Sequence, residues 1–154
     1  MTGQIDARLA ELGITLPDAP APAAKYVPAV RTGNLVFVSG QISMDENGMI
    51  IGKLGDGFST EDGAAAARVC AINLMAQMRA ACDGDLDRVA QVVKLTGFVN
   101  STADYPDHPK VINGASELFA DVFGDKGKHA RSAFGVVNLP FGVAVEIEAI
   151  FEIG

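Results

Sequence analysis

The sequence predicts an α+β fold, in which a mixed β-sheet carries two long helices on one of its faces. Two helical patterns, at 59–81 and 106–123, alternate with apolar stretches of strand length. The last stretch, 143–153, alternates apolar and polar residues, which is typical of a strand with one buried face. The chain has 154 residues and shows no internal repeat or charge run, so we assign residues 1–154 to one domain.

The first 24 residues precede the predicted sheet. Three apolar residues of segment 4–12 recur at helical spacing, and Gly13 ends this short amphipathic helix. Segment 17–28 is rich in proline and alanine and cannot form a regular helix. We therefore expect residues 1–24 to contribute an N-terminal helix and a Pro/Ala-rich arm, with the arm extended and packed on the domain.

The first strands are predicted as a hairpin at 30–42. Thr32-Gly33-Asn34 has the composition of a turn, and 35–38 reads as a buried strand. Ser39-Gly40-Gln41 ends this strand, and a further short strand is expected at 49–53.

The helix at 59–81 has the clearest signals. A serine or threonine at 59–60 can cap its first turn, where two acidic residues suit the helix dipole. Apolar residues at three and four spacing then form one face, which is expected to pack on the sheet. A strand at 92–99 leads to the second long helix at 106–123, which Gly124 ends.

The C-terminal run 128–154 predicts two strands around the turn Asn138-Leu139-Pro140-Phe141-Gly142. In the last strand one face is apolar, and the other carries three carboxylates, Glu146, Glu148 and Glu152. Carboxylates resist burial unless something pairs with them or water reaches them, so this face must be wet or meet a partner. A terminal hairpin would bring Arg131 and Glu146 into one cleft.

Arg131 and Glu146 are the candidate catalytic pair. A guanidinium offers a planar fork of donors that suits a substrate carboxylate, and a nearby carboxylate can take a proton from water. Together they would support hydrolysis of a small acid. The same two residues could instead form a surface salt bridge on a sheet, and the periodicity leaves both interpretations open.

Several other chemistries find little support. The net charge is -7 and no cluster of Lys and Arg is visible, which argues against nucleic acid as a partner. His108 and His129 have no His or Cys at motif spacing, so we predict no metal site. Ser39 lacks the frame of a nucleophile elbow, and the glycines at 52–57 do not fit a nucleotide-binding loop.

The sequence also bears on location. Cys70 and Cys82 lie twelve positions apart in a predicted helix, about 18 Å at 1.5 Å per residue, which is too far for a disulfide. Segment 4–12 lacks the apolar core of a signal peptide, and no apolar run has the length of a membrane span. We expect reduced thiols, a cytoplasmic location and no membrane partner.

A series of short motifs runs through the chain. In order these are Lys25-Tyr26-Val27-Pro28, Gly33-Asn34, Val38-Ser39-Gly40-Gln41, Val111-Ile112-Asn113-Gly114-Ala115, Ala130-Arg131-Ser132, Leu139-Pro140 and Val145-Glu146-Ile147-Glu148. With this series the chain resembles one known family, the reactive intermediate deaminases (Rid, YjgF type), also called endoribonuclease L-PSP. The match covers about 26–153, and its combination of motifs is specific.

The resemblance implies a chorismate-mutase-like α+β fold and a homotrimer with clefts between adjacent subunits. It implies a cofactor-independent hydrolase that converts 2-imino acids of the 2-aminoacrylate type, or their enamine tautomers, to 2-oxo acids and ammonia. By the same resemblance, Arg131 would hold the substrate carboxylate and Glu146 would activate water. Tyr26, Ser39 and Asn113 would line the pocket, with Tyr26 covering it, and Ser132 would touch the ligand.

The chain departs from the family pattern at several positions. Ala133 stands where many deaminating members have Cys, Phe134 follows it, and Pro28 replaces a common Gln. The segment before Tyr26 indicates a longer subgroup with an N-terminal extension. An alternative function is therefore a non-catalytic or regulatory trimer that binds a small carboxylate. Ribonuclease activity, a third possibility that the family's name carries, fits poorly with the acidic charge.

Overall fold

The computed structural model describes residues 3–21 and 24–154. Residues 22 and 23 of the predicted arm, and the first two residues of the assigned domain, lie outside the described part. The helices are α1 (Gln4–Glu11), α2 (Thr60–Ala81) and α3 (His108–Phe123), with short 3-10 turns at Leu86–Arg88, Gly124–Gly127 and Pro140–Gly142.

Five strands form the main sheet. They are β1 (Ala29–Thr32), β2 (Leu35–Ile42), β3 (Val89–Asn100), β4 (Ala130–Val136) and β5 (Val145–Ile153), and they lie side by side in the order β1-β2-β5-β3-β4. Two very short ribbons pair Met44–Asp45 with Gly48–Met49 and Lys53–Leu54 with Gly57–Phe58. The α+β class and the mixed sheet are confirmed.

The helices form where the sequence places them. Ser59 caps α2 by accepting a hydrogen bond from the backbone N–H of Asp62 at 3.1 Å, as the capping signal predicts. The second long helix begins at His108 and not at 106, with Pro109 in its first turn, where its missing N–H costs nothing. Gly124, at φ 63°, ends it as predicted.

The predicted terminal hairpin is wrong. β4 pairs with β3 in parallel, and β5 pairs antiparallel with β3 on its other side and with β2, so β3 separates β4 from β5. The reason is that β3, α3 and β4 form a strand-helix-strand unit. Two strands joined by a helix that packs on their sheet pair in parallel, and this leaves the opposite edge of β3 for the last strand.

The sheet has one covered face and one open face. The apolar positions of β5, from Val145 to Ile153, are buried beneath the helices as the alternation predicts. The open face carries an apolar group of side chains, Val30, Phe37, Phe98, Phe134 and Ile150, of which Phe98 is the register partner of Glu146. Beside Glu148 the register partners are polar, Thr96 and Ser132. Val30, Phe37 and Phe134 are each about half exposed. An exposed apolar surface of this kind is typical of an interface.

The N-terminal segment is tied to the helices. The backbone N–H groups of Gln4 and Ile5 each donate to the Asp87 carboxylate at 2.9 Å, and these hydrogen bonds lower the pKa of Asp87. Further along, Gln77 Nε2 on α2 donates to the Pro20 carbonyl at 2.6 Å. The described part of the arm is therefore held on α2 at Pro20. No described helix is both long and apolar enough to pass through a membrane.

Candidate active site

Arg131 is half-buried on β4 and lies on the helix-covered face of the sheet. Its register partner on β3 is Leu95, which is fully buried beneath the helices. The guanidinium Nη1 donates to Asn113 Oδ1 at 2.8 Å and to Ser116 Oγ at 3.2 Å, both on α3. The structure therefore brings together two residues that the sequence motifs name separately, Arg131 and Asn113.

One further residue, His129, supports this contact through Ser116. His129 Nδ1 lies 2.6 Å from the Gly127 carbonyl, and its Nε2 lies 2.8 Å from Ser116 Oγ. A carbonyl can only accept, so Nδ1 carries the proton, and Nε2 accepts from the Ser116 hydroxyl. The lone pairs of that hydroxyl then face Arg131. Burial and the Arg131 cation lower the pKa of His129, and together they outweigh the hydrogen bond to Gly127, which raises it. The lowered pKa keeps the ring neutral.

Ser116 and His129 were not among the residues that the sequence predicts for the site. The signal was weak: Ser116 lies one turn after Asn113 on the same helix face, and His129 stands two positions before Arg131. These four side chains line a surface cavity of about 300 Å³, which Lys128 also borders. We call this cluster of Asn113, Ser116, His129 and Arg131 the Arg131 half-site. Its charge suits an anion.

Ser116→Ala is expected to weaken binding of a small 2-oxo acid by about two- to tenfold, because one neutral hydrogen bond contributes about 0.5–1.5 kcal/mol. Without the hydroxyl, the guanidinium loses one of its two acceptors and His129 loses its donor. Calorimetry gives the dissociation constant. Ser116→Thr, which keeps the hydroxyl, should bind as the wild type does. Equal weakening by both substitutions would contradict this positioning role.

Glu146 lies on β5, on the open face of the sheet, beside an irregularity in β2. The pairing of β2 with β5 shifts register between Val38 and Gln41, which identifies a β-bulge at Ser39 and Gly40. A Cβ at Gly40 would lie 2.5 Å from Glu146 Oε2, so only glycine allows the carboxylate this position. The Ser39-Gly40-Gln41 motif thus places the bulge that accommodates Glu146.

The carboxyl of Glu146 is half-buried, and its pKa is raised, first by burial and then by the neighbouring Glu148 carboxylate. Such a group is a better proton acceptor than an ordinary glutamate, which suits general acid-base chemistry. Glu146, Ser39 and Tyr26 line a second cavity of about 210 Å³. We call the cluster of Tyr26, Ser39, Gly40 and Glu146 the Glu146 half-site.

Ser39 and Tyr26 belong to one hydrogen-bonded corner of this half-site. Ser39 Oγ donates to the Val27 carbonyl at 2.8 Å, so its hydroxyl holds the segment that carries Tyr26. Gln41 Nε2 donates to the Ser39 carbonyl at 2.9 Å, and this hydrogen bond stabilises the bulge. The Tyr26 side chain is 48% exposed at the mouth of the cavity. It is therefore free to contact a ligand or another protein surface.

The two half-sites lie on opposite faces of the sheet. Arg131 aligns with Ala149 across β3, and Glu146 lies three residues further along β5, so their backbones are about 14 Å apart at standard strand spacings. The prediction that both residues line one cleft of a terminal hairpin is wrong for a single chain. Ser132 is exposed and, by its register with Thr96, lies on the open face, away from the Arg131 side chain.

No three His, Cys, Asp or Glu side chains converge as metal ligands among residues 3–21 and 24–154. The fold and the two half-sites define a class of protein: an α+β protein with a mixed five-stranded sheet and a polar surface cavity at each of two half-sites. The family model described as "YjgF/chorismate_mutase-like, putative endoribonuclease" matches residues 6–149. The chain belongs to this YjgF-type family, which confirms the resemblance seen in its motifs.

Two curated relatives show how broad this family is. Protein TCP17 of Trypanosoma cruzi is 49% identical to this chain over 154 residues, covering 99% of the chain and 96% of the relative. A protein of Dermatophagoides farinae named 2-iminobutanoate/2-iminopropanoate deaminase is 32% identical over 139 residues, covering 89% of the chain and 92% of the relative. Both similarities extend over nearly the whole described fold.

Two solved structures have a fold similar to that of this chain. Protein Atu1372 of Agrobacterium tumefaciens is 45% identical, with a TM-score of 0.90 over 97% of this chain and 94% of that one. Escherichia coli TdcF, crystallised with bound serine, is 27% identical, with a TM-score of 0.64 over 88% of this chain and 94% of that one. The first similarity includes the N-terminal extension predicted from the sequence.

Proposed function

We propose that this protein is a cofactor-independent imine/enamine deaminase that hydrolyses reactive 2-imino acids of the 2-aminoacrylate type to 2-oxo acids and ammonia. The observation that carries the proposal is the pair of half-sites. One offers a positioned guanidinium, and the other offers a half-buried carboxylate with a raised pKa beside a cavity. The deaminase name of the Dermatophagoides relative supports the same reaction.

The Arg131 guanidinium is prepared for a carboxylate ligand. Asn113 and Ser116 both accept from Nη1, and within the described ranges no protein group accepts from Nε or Nη2. These two nitrogens form one edge of the fork, and that edge fits the two oxygens of a carboxylate. A 2-imino or 2-oxo acid is thus the kind of ligand that this half-site favours.

A homotrimer would join the half-sites. In a cyclic assembly, one surface of each copy meets a different surface of the next, so the Arg131 half-site of one copy can face the Glu146 half-site of its neighbour. The apolar open face, on which Phe37 and Phe134 are each more than 40% exposed, supports such an interface. Three equivalent clefts would result, each with groups from two copies.

The reaction requires the protein mainly to position the substrate and the attacking water. The imine carbon is already electrophilic, and Arg131 would fix the neighbouring carboxylate. Glu146 would take a proton from water as the oxygen bonds to that carbon, and would return the proton to the nitrogen. The addition product carries a hydroxyl and an amino group on the same carbon. Its hydroxyl proton then moves to the nitrogen as the C–N bond breaks and the carbonyl forms, so that one imine and one water give one 2-oxo acid and one ammonia. Positioning and proton transfer supply the rate enhancement.

A direct test generates 2-aminoacrylate from serine with a pyridoxal-phosphate-dependent dehydratase and follows pyruvate release. The wild-type protein should increase the rate of pyruvate release above the uncatalysed rate. Heat-denatured protein at the same concentration is the matched control. A rate equal to the uncatalysed one would reject the deaminase.

The pH profile should identify Glu146 as the base. We expect kcat/KM to fall as the pH falls through the Glu146 pKa, since only the carboxylate can take a proton from water. Burial and Glu148 raise this pKa, so the fall should begin above the ordinary glutamate value of about 4.3. Glu148→Gln removes one cause and should move the midpoint to lower pH. An unmoved midpoint would assign the titration to another group.

A second candidate function is a non-catalytic or regulatory trimer that holds a small carboxylate. The bound serine in TdcF supports it, because that ligand carries the carboxylate that Arg131 suits. Ala133, which stands where many deaminating members carry Cys, and the bulky Phe134 that follows it also favour this function. Calorimetry with 2-oxobutyrate and serine discriminates: Arg131-dependent binding without imine hydrolysis would favour the binding role.

A further inference from the structure

The cavity of the Glu146 half-site has a wall that the proposed reaction does not use. This wall is apolar, and it consists of Met44 and Met49 from the first short ribbon and Phe141 from the Pro140–Gly142 turn. Pro20 of the arm and Pro28 extend it. A carboxylate and an imine are polar and gain no stabilisation from an apolar surface, so this wall suits the side chain of the ligand.

Phe141 adopts a backbone conformation that large residues avoid. Its φ is 60° and its ψ is 9°, in the left-handed region, and only one other non-glycine residue of the described ranges, Asp83, has positive φ. A Phe there is strained, and the neighbouring Gly142 shows that the turn already uses glycine. The Phe141 side chain is 60% exposed at the cavity, so packing in the core does not account for it. Strain retained at a ligand-facing position indicates a functional residue.

Met44 and Met49 lie directly opposite each other in their ribbon, and Met49 is 39% exposed. Methionine is flexible and polarisable, so a pair of them adapts to apolar groups of different shape. The arm contributes to the same wall, and Gln77 fixes its position through the Pro20 carbonyl. The pocket is therefore built from three segments, the ribbon, the Pro140–Gly142 turn and the arm, and the arm is held on α2.

The size of the cavity sets the ligand class. Its volume of about 210 Å³ corresponds to roughly seven groups of water size, at about 30 Å³ each. The methylene of 2-aminoacrylate would leave most of this space empty, whereas the four non-hydrogen atoms of a leucine or methionine side chain, or the seven of phenylalanine, would occupy much more of it. Filling an apolar cavity removes apolar surface from water and strengthens binding.

We propose that Met44, Met49 and Phe141 form a side-chain pocket that selects 2-imino acids with large apolar side chains. The inference rests on the proposed deaminase function and adds its substrate class. It predicts that leucine- and methionine-derived imino acids are hydrolysed with kcat/KM about tenfold or more above the alanine-derived one, the discrimination that apolar pockets reach.

The experiment uses an L-amino-acid oxidase, which converts alanine, leucine and methionine into the matching 2-imino acids. Semicarbazide traps each imine, and the fall in semicarbazone formation measures hydrolysis by the full-length protein. Phe141→Gly is the informative variant, because glycine relieves the strain at φ 60° and the variant should fold well. It should lower the leucine-to-alanine ratio of kcat/KM about tenfold. Val137→Ala, at an 89% exposed position that does not line the cavity, is the control and should keep the ratio.

Each outcome separates this inference from the proposed function. Hydrolysis of all three imines with the alanine-derived one equal or faster would overturn the pocket and leave the deaminase standing. A ratio unchanged in Phe141→Gly would also overturn it. If no imine is hydrolysed, the deaminase fails, and calorimetry with 4-methyl-2-oxopentanoate and pyruvate decides: tighter binding of the larger acid supports the pocket, and equal or absent binding rejects it.

Discussion

Arg131→Ala is expected to lower kcat/KM for 2-aminoacrylate hydrolysis by about 30- to 4000-fold. Removing one member of a hydrogen-bonded charge pair costs about 2–5 kcal/mol, and about 1.4 kcal/mol is tenfold. The substrate carboxylate would lose its clamp, and Asn113 and Ser116 would lose their donor. Steady-state pyruvate release with dehydratase-generated substrate provides the measurement.

Arg131→Lys tests whether the positive charge alone is sufficient. Lysine keeps the positive charge but lacks the planar fork, so it should recover only a minor part of the lost activity. Arg68→Ala, at an exposed arginine of α2 that lines neither cavity, is the matched control and should behave as the wild type. Full activity of Arg131→Lys would show that charge alone suffices and that no two-oxygen clamp forms.

Mixing two inactive variants should restore activity, since we propose that each cleft takes its groups from two copies. Arg131→Ala retains Glu146, and Glu146→Gln retains Arg131. After joint unfolding and refolding at equal amounts, a cleft is intact when both of its contributing copies supply a wild-type group, which random assembly gives in about one quarter of clefts. About one quarter of wild-type activity is therefore expected, and neither variant alone should show it.

The control for this experiment is the double variant, which carries both substitutions in one chain. Mixed in equal amount with the wild type, it supplies no functional group to any cleft, so random assembly leaves about one quarter of clefts intact, half the activity that the wild-type chains have alone. Absence of recovery, with a sedimentation mass of three chains for the mixture, would contradict a cleft shared between copies. A mass of one chain would contradict the trimer itself.

Much of the fold could be predicted because its signals are local. The spans of α2 and α3 follow from caps, glycine stops and three-and-four spacing, and these depend only on neighbours along the chain. The hairpin of β1 and β2 follows from a turn at Gly33, which has φ 60°. The alternation of β5 correctly predicts which of its side chains are buried.

For the candidate site, the sequence proposes residue types but not their arrangement. Arg131 and Asn113 do meet, and Tyr26, Ser39 and Glu146 share a cavity, but the two groups lie on opposite faces of the sheet. The terminal hairpin was wrong because periodicity gives the face of a strand and not its neighbour. The unit formed by β3, α3 and β4 decides that pairing across many residues of sequence.

By itself, the sequence determined the elements, their buried faces, the acidic charge and the family, because each of these follows from residue identity and local spacing. Only the tertiary structure decided that β3 separates β4 from β5, that His129 and Ser116 hold Arg131, and that Phe141 borders the cavity of Glu146. These are contacts between segments far apart in the chain. Their geometry depends on how the whole sheet and its helices pack, which no local pattern encodes.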